Sequence, residues 1–421
     1  SVGLLYSDED KIDERRQRHS PYFKPEFDRL LLLGQNYLTH FLVVRRDLMD
    51  AAGGMRIGFE GSQDWDLALR VTEALDDGEV VHLPHVLYHW RSHDDSTAAG
   101  LSAKPYAADA GRRAVADHLA RVGLRGEVST LASGHNRVTW ALPEDPPLVS
   151  VVIPTRDGKY LRGCLDSLFE RTDYPNLEVL VVDNGSSDPD LLAYLAGRDD
   201  VAVLRDERPF NYSMLNNEAV EQVTGEIVCL LNDDTEIVVG AWLTEMVSQL
   251  LQAHVGAVGA KLYYDDGTIQ HAGVILGVGG VAGHLYRRTA GNSDGQMGRL
   301  RLAQNLSAVT AACMVTRRHV FEELGGFDAL HLAVAFNDVD YCLRLRQAGW
   351  RVVWTPAAEL VHHESVSRGS EKKRRTAFAA EERYMQERWG SVLRHDPAYN
   401  PNLSLVVENG SLAWPPRVSY R

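Results

Sequence analysis

Between about residues 148 and 235, short β-branched runs alternate with segments of helical spacing, and most of the runs end in polar residues. "LVSVVIP", "LEVLVVD", "VAVL" and "EIVCLL" read as strands, while "YLRGCLDSLFER", "DLLAYLAG" and "SMLNNEAVEQV" read as helices. Strands joined by helical crossovers form a parallel sheet, because the crossover brings the chain back in the same direction. A Rossmann-like α/β unit is therefore expected. Ligands of open α/β sheets bind beyond the carboxyl ends of the strands. Three of those ends are Pro154-Thr155-Arg156-Asp157, Asp183-Asn184-Gly185-Ser186 and Asn232-Asp233-Asp234, so polar groups should converge on one crevice. The adjacent carboxylates of Asp233 and Asp234 repel each other unless a positive charge lies between them, which points to a metal ion.

A chain of 421 residues, 44% hydrophobic, is long enough for two domains. Its net charge of −14 argues against nucleic-acid binding, which draws its affinity from basic residues on phosphates. Cys164, Cys229, Cys313 and Cys342 are far apart in apolar surroundings, so buried reduced thiols and a cytoplasmic setting are expected. No apolar run approaches the ~20 residues of a membrane span. "LPEDPPL" from Leu142 reads as a linker after the helical "YAADAGRRAVADHLARVG", which places a domain boundary near residue 146.

An internal repeat organises the rest. "QNYLTHFLVVRRDLMDAAGG" at Gln35 is similar to "QNLSAVTAACMVTRRHVFEELGG" at Gln304, "SQDWDLALRV" to "FNDVDYCLRL", and "PHVLYHW" to "PAAELVHH". The Leu-Tyr lead-in of "LLYSDEDKID" aligns with that of "KLYYDDGTIQ", so the first copy begins after the place of its own carboxylate cluster. The four-strand α/β half has no counterpart in the first copy. Residues 1–145 are expected to be half a module with a helical linker, and residues 146–421 a complete one. The start of the chain in mid-module suggests trimming from a longer protein.

"VSVVIPTRDGKYLRGCLDSL", "LEVLVVDNGSSD", "NYSMLNNEA", "GEIVCLLNDDTE" and "FNDVDYCLRLRQAGW" together resemble family 2 glycosyltransferases with the GT-A fold. The resemblance covers most of residues 148 to 400, and the tail "DPAYNPNLSL" looks like that of bacterial surface-polysaccharide members such as O-antigen enzymes. It implies inverting transfer of a sugar from a nucleoside-diphosphate sugar to a glycan or lipid-linked acceptor. The setting it implies is the cytoplasm, with peripheral contact at the inner face of the membrane. Asp234 falls on the D-x-D motif and His362 on a late metal histidine, as ligands of Mn²⁺ or Mg²⁺. His362 is favoured over His363 by the parallel with His89. Asp338 falls on the base position, where it would accept the acceptor hydroxyl's proton. Asp340 would orient or cap the helix that follows. Pro154, Thr155, Arg156, Asp183, Asn184, Asn216 and Asp233 would meet the nucleotide sugar, with Arg208 a weaker candidate. The chain departs from the pattern at Asn232, where the motif has an aspartate. In the first copy Asp64 and His89 match the base and histidine positions as a vestigial or second site.

Other readings compete with this one. Adjacent acids after a strand are ordinarily a solvated turn, and an Asp at a helix start is ordinarily an N-cap. A non-catalytic nucleotide- or carbohydrate-binding scaffold would explain Asn232 as lost metal affinity. "GVGGVAG" fits a dinucleotide fingerprint through Gly277, Gly279 and Ala282, but no convincing helix follows it. "EKKRRTAFAAEERYMQERW" reads as an amphipathic helix whose basic start could meet anionic lipid.

Overall fold

The computed structural model describes residues 1–91, 105–363 and 378–418. The basic start of the amphipathic segment, Lys372 to Arg375, lies outside the described residues. Among the described residues no helix is long and apolar enough to cross a membrane.

The first unit comprises β1 (Leu4–Ile12), β2 (Arg18–Tyr22), α1 (Arg29–Gly34), β3 (Leu42–Val44), α2 (Arg46–Ala51), α3 (Gln63–Thr72) and β4 (Val80–Arg91). One edge of β1 is paired antiparallel by β3 and then β2, and the other is paired in parallel by β4. Helix α4 (Pro105–Arg121) and the hairpin β5 (Gly126–Thr130) to β6 (Asn136–Trp140) lead onward.

The second unit opens with the expected alternation: β7 (Val149–Thr155), α5 (Leu161–Arg171), β8 (Leu177–Asp183), α6 (Pro189–Ala196), β9 (Ala202–Arg205), α7 (Tyr212–Gln222) and β10 (Ile227–Leu231). Local chemistry sets the helix starts. Asp188 accepts from the Asp190 N–H with Pro189 in the first turn, and Asn211 accepts from Met214. All of β7 and β10 is buried, as expected for parallel strands covered on both faces. The chain continues through β11 (Thr235–Ile237), α8 (Trp242–Leu250), β12 (Val255–Tyr263), β13 (Ile269–His271), β14 (Val274–Leu276) and β15 (Ala282–His284). It closes with β16 (Gln304–Asn305), β17 (Cys313–Arg317), α9 (Arg318–Glu323), α10 (Asn337–Gln347), β18 (Arg351–His362) and α11 (Ala379–Trp389).

The main sheet runs β11-β18-β12-β17-β10-β7-β8-β9. β10, β7, β8 and β9 are mutually parallel, and β17 enters antiparallel between β10 and β12. Strand order reverses at β7, with β8 on one side and β10 on the other. The fold is the GT-A type, a mostly parallel α/β sheet flanked by helices. The glycine run is the turn of the antiparallel β14–β15 hairpin, so it presents no helix N-terminus to a dinucleotide. All four cysteines are buried and free.

β12 is paired like β1: antiparallel by β17 and then β13 on one edge, and in parallel by β18 on the other. The register corrects the sequence alignment of the lead-in. Leu5 and Tyr6 pair with Val43 and Leu42, whereas Val258 and Gly259 pair with Val315 and Met314. Leu5-Tyr6 thus corresponds to Val258-Gly259, not to Leu262-Tyr263. The acidic run Asp8-Glu9-Asp10 accordingly lies in the buried body of β1. A second device occurs in both units. Arg70 bonds Asp66 and the carbonyls of Ala52 and Gly54, and Arg344 bonds Asp340 and the carbonyls of Leu324 and Gly326. The turns they hold need φ near +70°, which Gly53-Gly54 and Gly325-Gly326 supply.

Candidate functional site

Asp234 leaves the end of β10 in the turn to β11, and β11 pairs with the end of β18, Thr235 opposite His362. This edge pairing brings the imidazole over the carboxylate: His362 Nε2 lies 3.0 Å from Asp234 Oδ1. Asn232 Nδ2 lies 3.3 Å from the same nitrogen, and the Asn232 oxygen is 3.2 Å from the Tyr212 hydroxyl. His363 faces elsewhere, stacked on Tyr160 and bonded to Asp265. Asp234, His362 and Asp338 all line one cleft of about 350 Å³, together with Tyr212, Gln270, His284 and Arg287.

Asp338 is the second residue of α10. Its Oδ2 accepts from the Ala311 N–H at 3.1 Å and its Oδ1 from Val339 at 2.8 Å. It is therefore not the N-cap, a position held by Phe336 in the left-handed region, φ 58°. The loop before it is fixed by α11, since the Glu381 carboxylate accepts from the Val334 and Ala335 N–H groups, each at 3.0 Å. Asp340 has a structural role: fully buried, it accepts from Arg344 and, at 2.8 Å, from Trp389 Nε1.

Asp233 points away from His362, toward the switch point at β7, where its Oδ2 accepts from the Thr155 hydroxyl at 2.6 Å. Burial, with repulsion from Asp234, pushes its carboxyl up to about 6, against the pull of the Thr155 bond. Gly158 closes over this pair. A Cβ there would lie 2.3 Å from Thr155 Oγ1 and 2.5 Å from Asp233 Oδ2, so only glycine fits.

The remaining nucleotide candidates are less directly placed. Pro154 is buried in β7 and Arg156 is exposed on the loop after it. Asp183 accepts from the Ser186 N–H at 2.9 Å and pairs with Arg205. Asn184 Nδ2 donates to the Asp206 and Arg208 carbonyls. Both are buried and hold the loop after β8 rather than line the cleft. Asn216 corrects the expectation made for it. It is fully buried on α7 with its Nδ2 on the Tyr212 carbonyl, because a polar side chain inside a packed helix bonds the preceding turn. Arg208 is engaged by Asp206 and Glu218.

The structure does not bring the first-unit pair together. His89 bonds Asp10 at 2.5 Å. Tyr88 and Trp90, on the other face of β4 by strand alternation, meet His40, the first stacked and the second tilted against its ring. Asp64 belongs with His40 and Asn36, and burial raises its carboxyl above the usual range. Strand phase therefore pairs His362, buried on β18, with Trp90 rather than His89.

Sequence reasoning missed Gln270 and Gly158. Nothing local marks Gln270, which comes from β13 and reaches His362 only through the sheet. Gly158 could have been suspected as a glycine just after a strand end that carries ligand groups.

Among the described residues no group of three or more His, Cys, Asp or Glu is arranged to hold a metal. Asp234 and His362 fit a divalent cation as two ligands, a hard oxygen and an imidazole nitrogen converging within 3.0 Å. Mg²⁺ and Mn²⁺ sites of nucleotide enzymes are built this way, with phosphate oxygens and water completing the shell.

Residues 146–390 match the family described as "Glycosyltransferase like family 2". An uncharacterized protein, y4gI, of Sinorhizobium fredii is 49% identical over 98% of this chain and 46% of its own length. The O-antigen biosynthesis protein RfbC of Myxococcus xanthus is 40% identical over 98% of this chain and 32% of its own. An N-acetylglucosaminyl-diphospho-decaprenol L-rhamnosyltransferase of Mycobacterium tuberculosis is 28% identical over 52% of this chain and 76% of its own. The chain thus spans about half or a third of the length of the first two relatives. With the matched segment running from just before β7 to the end of α11, the chain belongs to the family 2 glycosyltransferases.

Proposed function

We propose that residues 146–421 transfer a sugar, with inversion, from a nucleoside-diphosphate sugar to a glycan or lipid-linked acceptor in cell-surface polysaccharide synthesis. The observation that carries this reading is the convergence of Asp234, His362 and Asp338 on one cleft beside the sheet's switch point. Asp234 and His362 would hold Mn²⁺ or Mg²⁺, which when bound offsets the charge developing on the departing diphosphate. Thr155 and Gly158 hold Asp233 close against β7, where the donor would lie across the strand ends with Arg156, Asp183 and Asn184 at its border. The Ala311 and Val339 N–H groups, one on each oxygen, hold the Asp338 carboxylate where it lines the cleft. There it takes the proton of the acceptor hydroxyl as that oxygen attacks the anomeric carbon, and the diphosphate leaves from the opposite face. RfbC supports an O-antigen-type product, and the rhamnosyltransferase a diphospholipid-linked acceptor.

Two protein ligands make a weak cation site without phosphate oxygens. Mn²⁺ alone should therefore bind poorly, and Mn²⁺ with a nucleoside diphosphate tightly. The test is thermal shift and Mn²⁺-dependent hydrolysis across UDP-, GDP- and dTDP-sugars, with Asp234→Ala as control. Donor hydrolysis lost in Asp234→Ala supports the reading, and no cation-dependent nucleotide binding by the wild type overturns it. The competing scaffold reading draws on Asn232 and predicts binding of nucleotide or glycan without a cation. For residues 1–145 we read the shared strand pairing as support for a partial second GT-A-like unit, the acceptor-side half.

A further inference from the structure

Gln270 is 5% exposed, on β13, with its side-chain amide against the outer nitrogen of His362: Gln270 Nε2 to His362 Nδ1 is 2.7 Å. Among the described residues its buried Oε1 has no hydrogen-bond partner. On the other side of the ring, the Asn232 amide nitrogen faces His362 Nε2 at 3.3 Å. Two amide nitrogens donating into one imidazole is chemically impossible, because even the neutral ring carries one N–H and can accept at only one nitrogen. One of the amides must present its oxygen instead. Amide oxygen and nitrogen are nearly the same size, so the choice falls to the hydrogen bonds each orientation makes. The oxygen of Asn232 already receives the Tyr212 hydroxyl at 3.2 Å. Among the described residues the Gln270 oxygen receives nothing, and turning that amide gives it the His362 Nδ1–H.

We infer that Gln270 is a positioning residue: its side-chain oxygen accepts the His362 Nδ1–H, which leaves Nε2, 3.0 Å from Asp234 Oδ1, without a proton so that the nitrogen and the carboxylate can share a divalent cation. The inference rests on the cation reading of Asp234 and His362 given above. Outer-shell partners of this kind fix the tautomer and ring orientation of a ligating histidine and change metal affinity by about 10- to 100-fold when lost.

The test is ¹⁵N NMR of histidine-labelled protein saturated with Mg²⁺ and a nucleoside diphosphate, the diamagnetic ion being chosen to keep the signals sharp. His362 resonances are assigned by their loss in His362→Gln. The expected result is a protonated Nδ1 and an unprotonated Nε2 in the complex. Gln270→Met, which removes the acceptor at similar volume, should weaken Mn²⁺ affinity in the presence of nucleoside diphosphate by about 10-fold or more. Gln270→Glu, which keeps an acceptor oxygen, should restore it, with circular dichroism confirming that both variants fold. A protonated Nε2 in a saturated complex overturns this inference while leaving the cation reading intact. So does a Gln270→Met affinity equal to wild type. Failure of the wild type to bind any cation with nucleoside diphosphate overturns both.

Discussion

At the scale of single residues, the site separates three neighbouring acids into different jobs by what each touches. Asp338 is held by two backbone N–H groups, those of Ala311 and Val339, and faces the cleft, so Asp338→Asn keeps the volume and one of these bonds and removes the proposed base. It should cost about 10²- to 10⁴-fold in kcat with nucleoside-diphosphate affinity unchanged, measured by steady-state transfer and calorimetric titration. Asp233 is half-buried beside Asp234 and accepts from the Thr155 hydroxyl. Asp233→Asn still accepts that hydroxyl but relieves the repulsion, so its Tm in EDTA at pH 7.5 should exceed wild type. His271 supplies a pH test. Burial, followed by the nearness of His284 and His362, pushes its imidazole well below the ordinary range. The unfolded chain takes up that proton near pH 6.5 while the folded chain does not. Stability is therefore fully present above about pH 6.5 and falls as the pH drops through it, by up to ~1.4 kcal/mol per unit. Urea melts between pH 5 and 8 should show that slope reduced in His271→Gln.

At the scale of elements, α11 clamps the start of α10. Glu381 fixes the loop before Asp338, and Trp389 bonds the buried Asp340 two residues after it. Trp389→Phe keeps the ring packing and leaves one lone pair of Asp340 unmatched. It should cost about 1–2 kcal/mol in urea melts and lower kcat more than it raises KM. The α/β alternation was legible from spacing, because it depends on residues a few positions apart. The register of β1 was not. Its Leu-Tyr lead-in repeats a local pattern, whereas register is decided by which strand lies alongside, here β3 at Leu42–Val44. The same cause misassigned His89, since one residue of slip on β4 exchanges the faces occupied by His89 and Trp90.

At the scale of the whole molecule, the two units share one core. Leu30, Leu33, Trp65, Val138 and Trp140 pack with Leu250, Leu302 and Val353. Polar contacts tie them as well. Asp28 caps α1 through Leu30 and Leu31 and accepts from the Asn305 backbone and side chain at 2.8 and 2.6 Å. The buried Asp8 accepts from Lys24, His82 and, near the other end of the chain, Asn400. The protein should therefore unfold in a single transition, with calorimetric and van't Hoff enthalpies in agreement. Asp28→Ala, losing a cap and two inter-unit bonds, should lower stability by about 2–3 kcal/mol without splitting it. The sequence by itself determined the class of fold, the strand ends that carry polar groups, and the family, because those follow from periodicity and short ordered motifs. Only the tertiary structure decided that His362 meets Asp234 across a strand edge, that Gln270 stands behind the imidazole, and that Asn216 turns inward. Each of those is set by pairing between strands and helices distant in the chain, and local sequence holds no record of which face a neighbour will cover.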